Sequence, residues 1–480
     1  MYLGIDIGTS GVKALLLNQN HSVIGSCTTP LVINRPAPNW SEQDPQDWVK
    51  ATIETIDKLQ FLYPKQLAAV AGIGLSGQMH GAVLLGADDK PLRPCILWND
   101  GRSEEQCKQL SKMADFEGIT GNQVMPGFTA PKLKWVEENE PEVFRNIHKV
   151  LLPKDYVRLW LTGTYGSDLS DSSGTLWLNV SDRDWSETLL SATHLSKEHM
   201  PDLFEGNAIT GQLRTKLAHR WGIKSAIVAG GGGDNAASAC GMGVIKPGTG
   251  FISLGTSGVV FSPTSTPLPN PQNAVHSFCH AVPGLWHNMG VILSAGDSLN
   301  WLASLTNTTV AEMVNAVPIK IEKASDVQFL PYLAGERTPH NDVSARGAFV
   351  GLQRATSHRD LVQAVMEGVA FALADCLNAM TLADSSLNSA FVVGGGSNSP
   401  QWLEIIAAAL KLDLLVPEQG HYGAALGAAK LAFAAATGES MTSICIKPRV
   451  SNTVRPNPSL VEQYQLSYEK YRRLYPSLYG

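Results

Sequence analysis

The chain has 480 residues, 44% hydrophobic and 17% charged, with a formal net charge of −6. That balance is globular, and the length exceeds one ordinary core, so two or three domains are expected. A mild acidic excess points away from nucleic acid and from anionic membranes as partners.

The seven cysteines are scattered without a C-x-x-C pair, which suits reduced cytosolic thiols. "HSFCH" at 276–280 offers metal-type side chains, but no second cluster completes a zinc site. The chain opens without a basic-then-apolar leader and holds no run of about 18 apolar residues. A cytoplasmic protein with no membrane span is the expectation.

Residues 2–17, "YLGIDIGTSGVKALLL", alternate apolar residues up to Ile7, turn through Gly-Thr-Ser-Gly, and resume an apolar run. That is strand, tight turn, strand. Helical patterns follow at 44–60 and 130–144, with strand-like runs at 67–76 and 81–86 between them. At 226–243, "AIVAGGGGDNAASACGMG", a short apolar run meets four glycines, then Asp234 and Asn235, then small residues that suit a helix. Asp234 reads as a helix N-cap. It reads equally as a carboxylate facing a substrate that approaches bare backbone.

Residues 250–260, "GFISLGTSGVV", repeat the Gly-Thr-Ser-Gly-Val of the first hairpin. Two such hairpins half a chain apart indicate an internal duplication, with a boundary near 243–250. Backbone N–H groups and the Thr and Ser hydroxyls of each turn can form a nest for phosphate oxygens, although each can equally be a plain hairpin turn. The copies differ at one position: Asp6 precedes the first turn where Ser253 precedes the second. An acid beside a phosphate nest calls for a cation, which makes Asp6 a candidate for holding Mg²⁺, directly or through water. The P-loop pattern G-x-x-x-x-G-K-[ST] is absent.

Helical patterns recur at 294–305 and 358–380. A third Gly-rich turn, Gly394 to Gly396, separates an apolar strand from a helix with Trp402, Ile405, Ile406 and Ala409 on one face. Such a turn can take an adenine ring or simply pack strand on helix. The tail ends in a Tyr- and Arg-rich helix expected on the surface. Alternating strands and helices throughout give an α/β class.

The paired G-T-S-G hairpins resemble the actin/Hsp70/sugar-kinase ATPase superfamily. "GFTAPKLKWVEEN" (127–139) and "GAFVGLQRATSHRDLVQAVMEG" (347–368) are similar to the two signatures of the FGGY carbohydrate kinases. "SGQMHGAVLL" (76–85), "LWNDGR" (97–102), "MPGFTAPKL" (125–133), "LLPKDYVRLWLTG" (151–163) and "HSFCHAVPGLWH" (276–287) look like the branch that phosphorylates D-xylulose.

The resemblance implies two ribonuclease H-like, actin-like ATPase domains around a central cleft. Residues 1–243 would bind sugar and carry the catalytic base; residues 244–480 would bind ATP. It implies that Asp234 is the general base toward the C5 hydroxyl of D-xylulose, with Asp6 as the second catalytic residue and Mg-ATP as co-substrate. An Asp at a helix N-terminus would be ionised at neutral pH.

Met79, His80, Trp98, Asn99, Asp100 and Asn235 would contact the sugar. The plainer readings are a buried His bonded to backbone, a core Trp and a capping Asp. Thr9, Ser10, Lys13, Gly255, Thr256, Gly296, Asn300, Gly395 and Asn398 would contact ATP. Glu336 and Arg337, in "GERTPH" (335–340), read as a pair with each other outside the site. Relatives are often dimers, so a homodimer is expected on the same ground. Rival readings are a sister kinase for ribulose, fuculose or gluconate, and an ATP-driven switch of the actin or Hsp70 kind.

Overall fold

In the computed structural model, which describes residues 1–418 and 420–480, two sheets carry the chain. The first uses β1 (Tyr2–Ile7), β2 (Gly11–Leu17), β3 (Val23–Pro30), β4 (Gly72–Gly77), β5 (Ile209–Gln212), β6 (Ile227–Ala229) and the two-residue β7 (Gly232–Gly233). The second uses β8 (Gly248–Leu254), β9 (Gly258–Thr264), β10 (His276–Cys279), β11 (Trp286–Ile292), β12 (Leu387–Val393), β13 (Asp413–Pro417) and β14 (Val450–Val454).

The orders β3-β2-β1-β4-β6-β5 and β11-β9-β8-β12-β13-β14 correspond strand for strand. In each, the first two pairings are antiparallel, the next two parallel and the last antiparallel. The duplication expected from one repeated pentapeptide therefore extends across both sheets.

Helices cover the sheets. α1 (Pro45–Leu62) is capped by Asp44, whose side chain accepts from the Gln46 N–H. The helical pattern at 130–144 breaks in two, α2 (Thr129–Asn139) and a short turn from Pro141, because proline lacks the N–H that would continue the first helix. The run at 67–76 is strand only from Gly72, since residues 64–68 close a helical turn.

α3 (Asp234–Met242) follows β7, and α4 (Gly296–Thr306) and α5 (Val310–Ala316) follow β11. α6 (His358–Thr381) is opened by a Ser357–Asp360 capping box. α7 (Pro400–Leu410) buries Trp402, Ile405 and Ile406. α8 (Gly423–Thr437) and α9 (Pro458–Tyr479) complete the chain. α9 is more than a surface helix: Tyr464 and Tyr471 are buried and donate to Glu367 and to the Tyr332 hydroxyl.

α8 belongs to the second half in sequence but packs on the first sheet. A Cβ on Gly4 or Gly74 would stand 1.9 Å from the carbonyl oxygens of Ala425 and Ala428. On Gly427 it would stand 1.6 Å from that of Ala237, on α3. Backbone thus meets backbone across the two halves, and any side chain at these glycines would force them apart. All seven cysteines are free thiols, six of them buried. Among the described residues no helix is long and apolar enough to cross a membrane.

Candidate active site

The carboxyl ends of β1, β4 and β7 lie side by side, in register Asp6–Ser76–Gly232 and then Ile7–Gly77–Gly233. Asp234 is the next residue along β7, and Met79 and His80 come just after β4. The edge where parallel strands end is where open α/β sheets bind ligands, because the chain there turns away and leaves backbone accessible.

Asp234 is the first helical residue of α3, and Gly233 holds the cap position without a side-chain bond. The capping expectation is therefore off by one. Asp234 instead turns Oδ1 to the N–H of Asn235 (2.7 Å) and to its Nδ2 (3.0 Å), so Asn235 holds the carboxylate. The expected full ionisation also fails. Burial, and then the Asp6 charge, push Asp234 up to about 7. Desolvation and a like charge outweigh the helix end and the two donors. Burial likewise lifts Asp6 to about 6, against the pull of Lys13, its cross-strand partner, and of Ser76.

The Gly-rich turn has its own scaffold. Gly231 is left-handed (φ +78), and Arg158 donates to the carbonyl oxygens of Ala229 (2.6 Å) and Gly230. The Gly233 N–H donates to Ser170 Oγ (3.1 Å), which donates in turn to Asp168. Both are buried side chains far off in sequence, and no local pattern near residue 230 signals them.

Met79 and His80 lie beside the Gly-rich turn that leads to Asp234. A Cβ on Gly233 would sit 3.1 Å from Met79 Sδ, and one on Gly174 would sit 2.5 Å from His80 Nδ1. His80 Nδ1–H donates to the Gly174 carbonyl (2.7 Å), which leaves Nε2 as the acceptor. Burial drives the ring's pKa down to about 3, so it is neutral. The plain reading of a histidine bonded to backbone holds, and it is also what orients the other nitrogen. Lys132 and Thr129 of α2 donate to the His80 carbonyl, which gives the 127–139 signature the task of fixing this loop.

Trp98 donates from Nε1 to Thr9 Oγ1 (3.0 Å), and Asn99 is exposed. Asp100 is buried, taking Arg102 Nη2 at 2.6 Å and the Ser41 N–H at 2.6 Å. Its carboxylate is spent on holding the loop, in line with the structural alternative.

Around the first turn, Thr9 donates its hydroxyl to Gln78 Oε1 (2.9 Å) while Gln43 donates to its carbonyl (2.8 Å). The Thr9 hydroxyl thus ties the turn to the core rather than to an open nest; Ser10 is exposed. Gln43 and Gln78, both buried, were not singled out from sequence because isolated glutamines carry no pattern.

The second turn opens on a cavity of about 350 Å³. Gly255, Thr256, Gly296, Asn300 and Gly395 line it together, while Asn398 is exposed and outside it. Leu299, Val310, Val314 and Trp402 add an apolar wall that the sequence reading had not assigned. Its sequence traces are the i, i+4 spacing of Val310 and Val314 and the apolar helix face that carries Trp402.

Among the described residues no group of three or more metal-type ligands gathers. Asp6 Oδ1, however, is buried without a hydrogen-bond partner, and the Asp234 carboxylate is its neighbour in charge. A single orphaned carboxylate oxygen fits Mg²⁺, which keeps most of its waters and shares phosphate oxygens with one or two protein carboxylates.

A duplicated β-sheet fold, a paired-acid edge and a cavity at the repeated turn define a phosphotransferase-type site on an actin-like ATPase fold. Family models for the N-terminal and C-terminal domains of the FGGY family of carbohydrate kinases match residues 1–241 and 250–436, and the chain belongs to that family. It is 46% identical to the xylulose kinase of Escherichia coli (strain K12), over 100% of this chain and 99% of that one. Among solved structures it is similar to a xyloylose kinase from Brucella ovis, at 51% identity and TM-score 0.97 with 99% of each chain covered. A xylulose kinase from Rhodospirillum rubrum follows at 27% identity and TM-score 0.90, over 99% of this chain and 98% of that one.

Proposed function

We propose that the chain transfers the γ-phosphoryl group of ATP to the C5 hydroxyl of D-xylulose, giving D-xylulose 5-phosphate and ADP. The observation that carries the reading is Asp234: a carboxylate at the edge of the first sheet, held by Asn235, with a pKa brought to about 7. A base is most effective when its pKa lies near the working pH. It then takes the hydroxyl proton late, as that oxygen bonds to the γ-phosphorus and the bond to ADP breaks. Phosphoryl transfer asks little further of the protein than positioning and charge stabilisation.

Residues 1–243 supply the sugar side through Met79, neutral His80 and Trp98. Residues 244–480 supply the nucleotide side. Gly255, Thr256, Gly296, Asn300 and Gly395 offer the polar rim of the cavity, and Leu299, Val314 and Trp402 suit a flat base. Ser10 of the first turn, and Lys13 across from Asp6, would face the phosphates. Asp6 would hold Mg²⁺, directly or through water, and the metal would offset phosphate charge. Assembly as a homodimer rests on the resemblance to relatives, and a cytoplasmic location on the scattered, free cysteines.

ADP release measured across D-xylulose, L-ribulose, L-fuculose and D-gluconate tests the reading. D-xylulose is expected to give the highest kcat/KM, and equal or faster turnover of L-ribulose overturns it.

A further inference from the structure

Arg337 comes from a loop of the second half, between β11 and α6, yet its side chain ends on the sugar side of the first. Nη1 donates to His276 Nε2 at 3.4 Å, and a Cβ on Gly127 would lie 3.4 Å from Nη2. The same Gly127 Cβ position is 2.8 Å from the Trp98 carbonyl oxygen, and Gly127 itself accepts from Lys132, which also holds His80. Arg337 therefore stands among His80, Trp98, Gly127 and His276.

The expected Glu336–Arg337 side-chain pair is not formed. Glu336 Oε1 instead accepts the backbone N–H groups of Leu293 (3.0 Å) and Arg337 (2.8 Å), and burial pushes its pKa up to about 8. Among the described residues no carboxylate comes within ion-pair distance of the guanidinium: Glu336 acts on it through its charge without pairing, and its side-chain bond is the long one to His276. A half-buried cation so poorly met is costly unless a ligand supplies oxygens.

Met79 links the two ends of the pocket: a Cβ on Gly233, next to Asp234, would sit 3.1 Å from Met79 Sδ, and one on Gly174 would sit 3.1 Å from Met79 Cε and 2.5 Å from His80 Nδ1, with Arg337 on the far side of His80. With C5 at Asp234, the far end of a ketopentose falls toward Arg337.

We propose that Arg337 binds the C1–C2 end of the sugar, its planar fork donating to the ketone oxygen and an adjacent hydroxyl, and so selects a 2-ketose over the matching alditol. This rests on the reading of the function as D-xylulose phosphorylation. A lysine cannot reproduce a two-pronged donor, and a neutral side chain leaves the ketone oxygen unmet.

The test is calorimetric binding of D-xylulose and of xylitol, the same carbon chain with C2 reduced, to wild type, Arg337→Met and Arg337→Lys. Arg337→Met is expected to raise the D-xylulose Kd roughly 10- to 100-fold, the loss expected for a charged donor. The xylitol Kd should move less than about threefold and the KM for ATP less than about twofold, with Arg337→Lys intermediate. A D-xylulose-to-xylitol affinity ratio left unchanged by Arg337→Met overturns the inference, whether both sugars weaken together or neither does. Wild type that fails to phosphorylate D-xylulose overturns instead the function on which it rests.

Discussion

The hairpins β1–β2 and β8–β9 carry the same five residues, Gly-Thr-Ser-Gly-Val, and do different work. In the first, Ile7 pairs with Val12 and residues 8–11 form the turn; in the second, Leu254 pairs with Gly258 and only residues 255–257 do. The first turn is tied down by side chains, Thr9 to Gln78 and Trp98 to Thr9. The second is tied by backbone: the N–H groups of Ala295 and Gly296, where α4 begins, donate to the carbonyls of Thr256 (2.8 Å) and Gly255 (2.9 Å). That docking brings α4 to the cavity wall. One side chain then separates their chemistry. Asp6 sets a negative charge beside Asp234, where Ser253 leaves the second hairpin neutral and suited to binding alone. Duplication supplied the scaffold, and in the proposed function a single carboxylate with its long-range partners divides the labour.

The largest test of that division removes the proposed base. Asp234→Asn is expected to lower kcat roughly 10²- to 10⁴-fold, the usual share of general-base catalysis, with D-xylulose binding retained by calorimetry. It should also stabilise the fold at high pH. A carboxylate whose folded pKa (about 7) lies above its unfolded value (3.8) binds more protons when folded, so stability falls as pH rises between the two. Asn at 234 removes that loss. The melting temperature at pH 8 is expected to rise by about 2–5 °C and that at pH 3.5 to stay put. A fall at pH 8 would mean that Asp234 serves the fold first.

Asp6→Ser makes the first hairpin resemble the second. The kcat is expected to drop roughly 10- to 100-fold with the lost cation ligand and charge. In the same variant the acid limb of the pH–rate profile, near 7 in wild type, should move to lower pH, because the like charge that raises Asp234 is gone. An acid limb that stays at 7 would assign the shift to burial alone.

On the second hairpin, Thr256→Val should raise the KM for ATP by about fivefold, one ordinary hydrogen bond, with the KM for D-xylulose unchanged. A sugar effect of equal size would erase the proposed contrast between the halves. The smallest effect belongs to Thr9→Val, which unpairs Gln78 Oε1 and Trp98 Nε1. About 1–2 kcal/mol of unfolding free energy should be lost in urea titration. The KM for ATP should move less than that of Thr256→Val, since the Thr9 hydroxyl faces the core.

Much of the site was legible in the chain. Strand, Gly-rich turn and acid placed Asp234, and the cavity gathers five residues expected to contact ATP, three at glycine turns and Gly296 and Asn300 on α4. Such features are local: alternation, turn glycines and caps act within a few residues. The misses were long-range. Arg158, Ser170, Gln78 and Arg337 reach their positions across more than sixty residues of sequence. Asp100 is held by the Ser41 N–H and by neighbouring Arg102, as its structural alternative expects.

By itself, then, the sequence determined the duplicated α/β plan, the two turns and the identity of the acids, because periodicity and glycine placement are properties of neighbouring residues. Only the tertiary structure decided that α8 crosses to the first sheet, that Thr9 is spent on the core, that Arg337 stands beside His80, and that Asp234 titrates near neutrality. Each of these depends on which groups meet in space, and a carboxylate's charge is set by the water it has lost and the charge beside it, neither of which is written next to it in the chain.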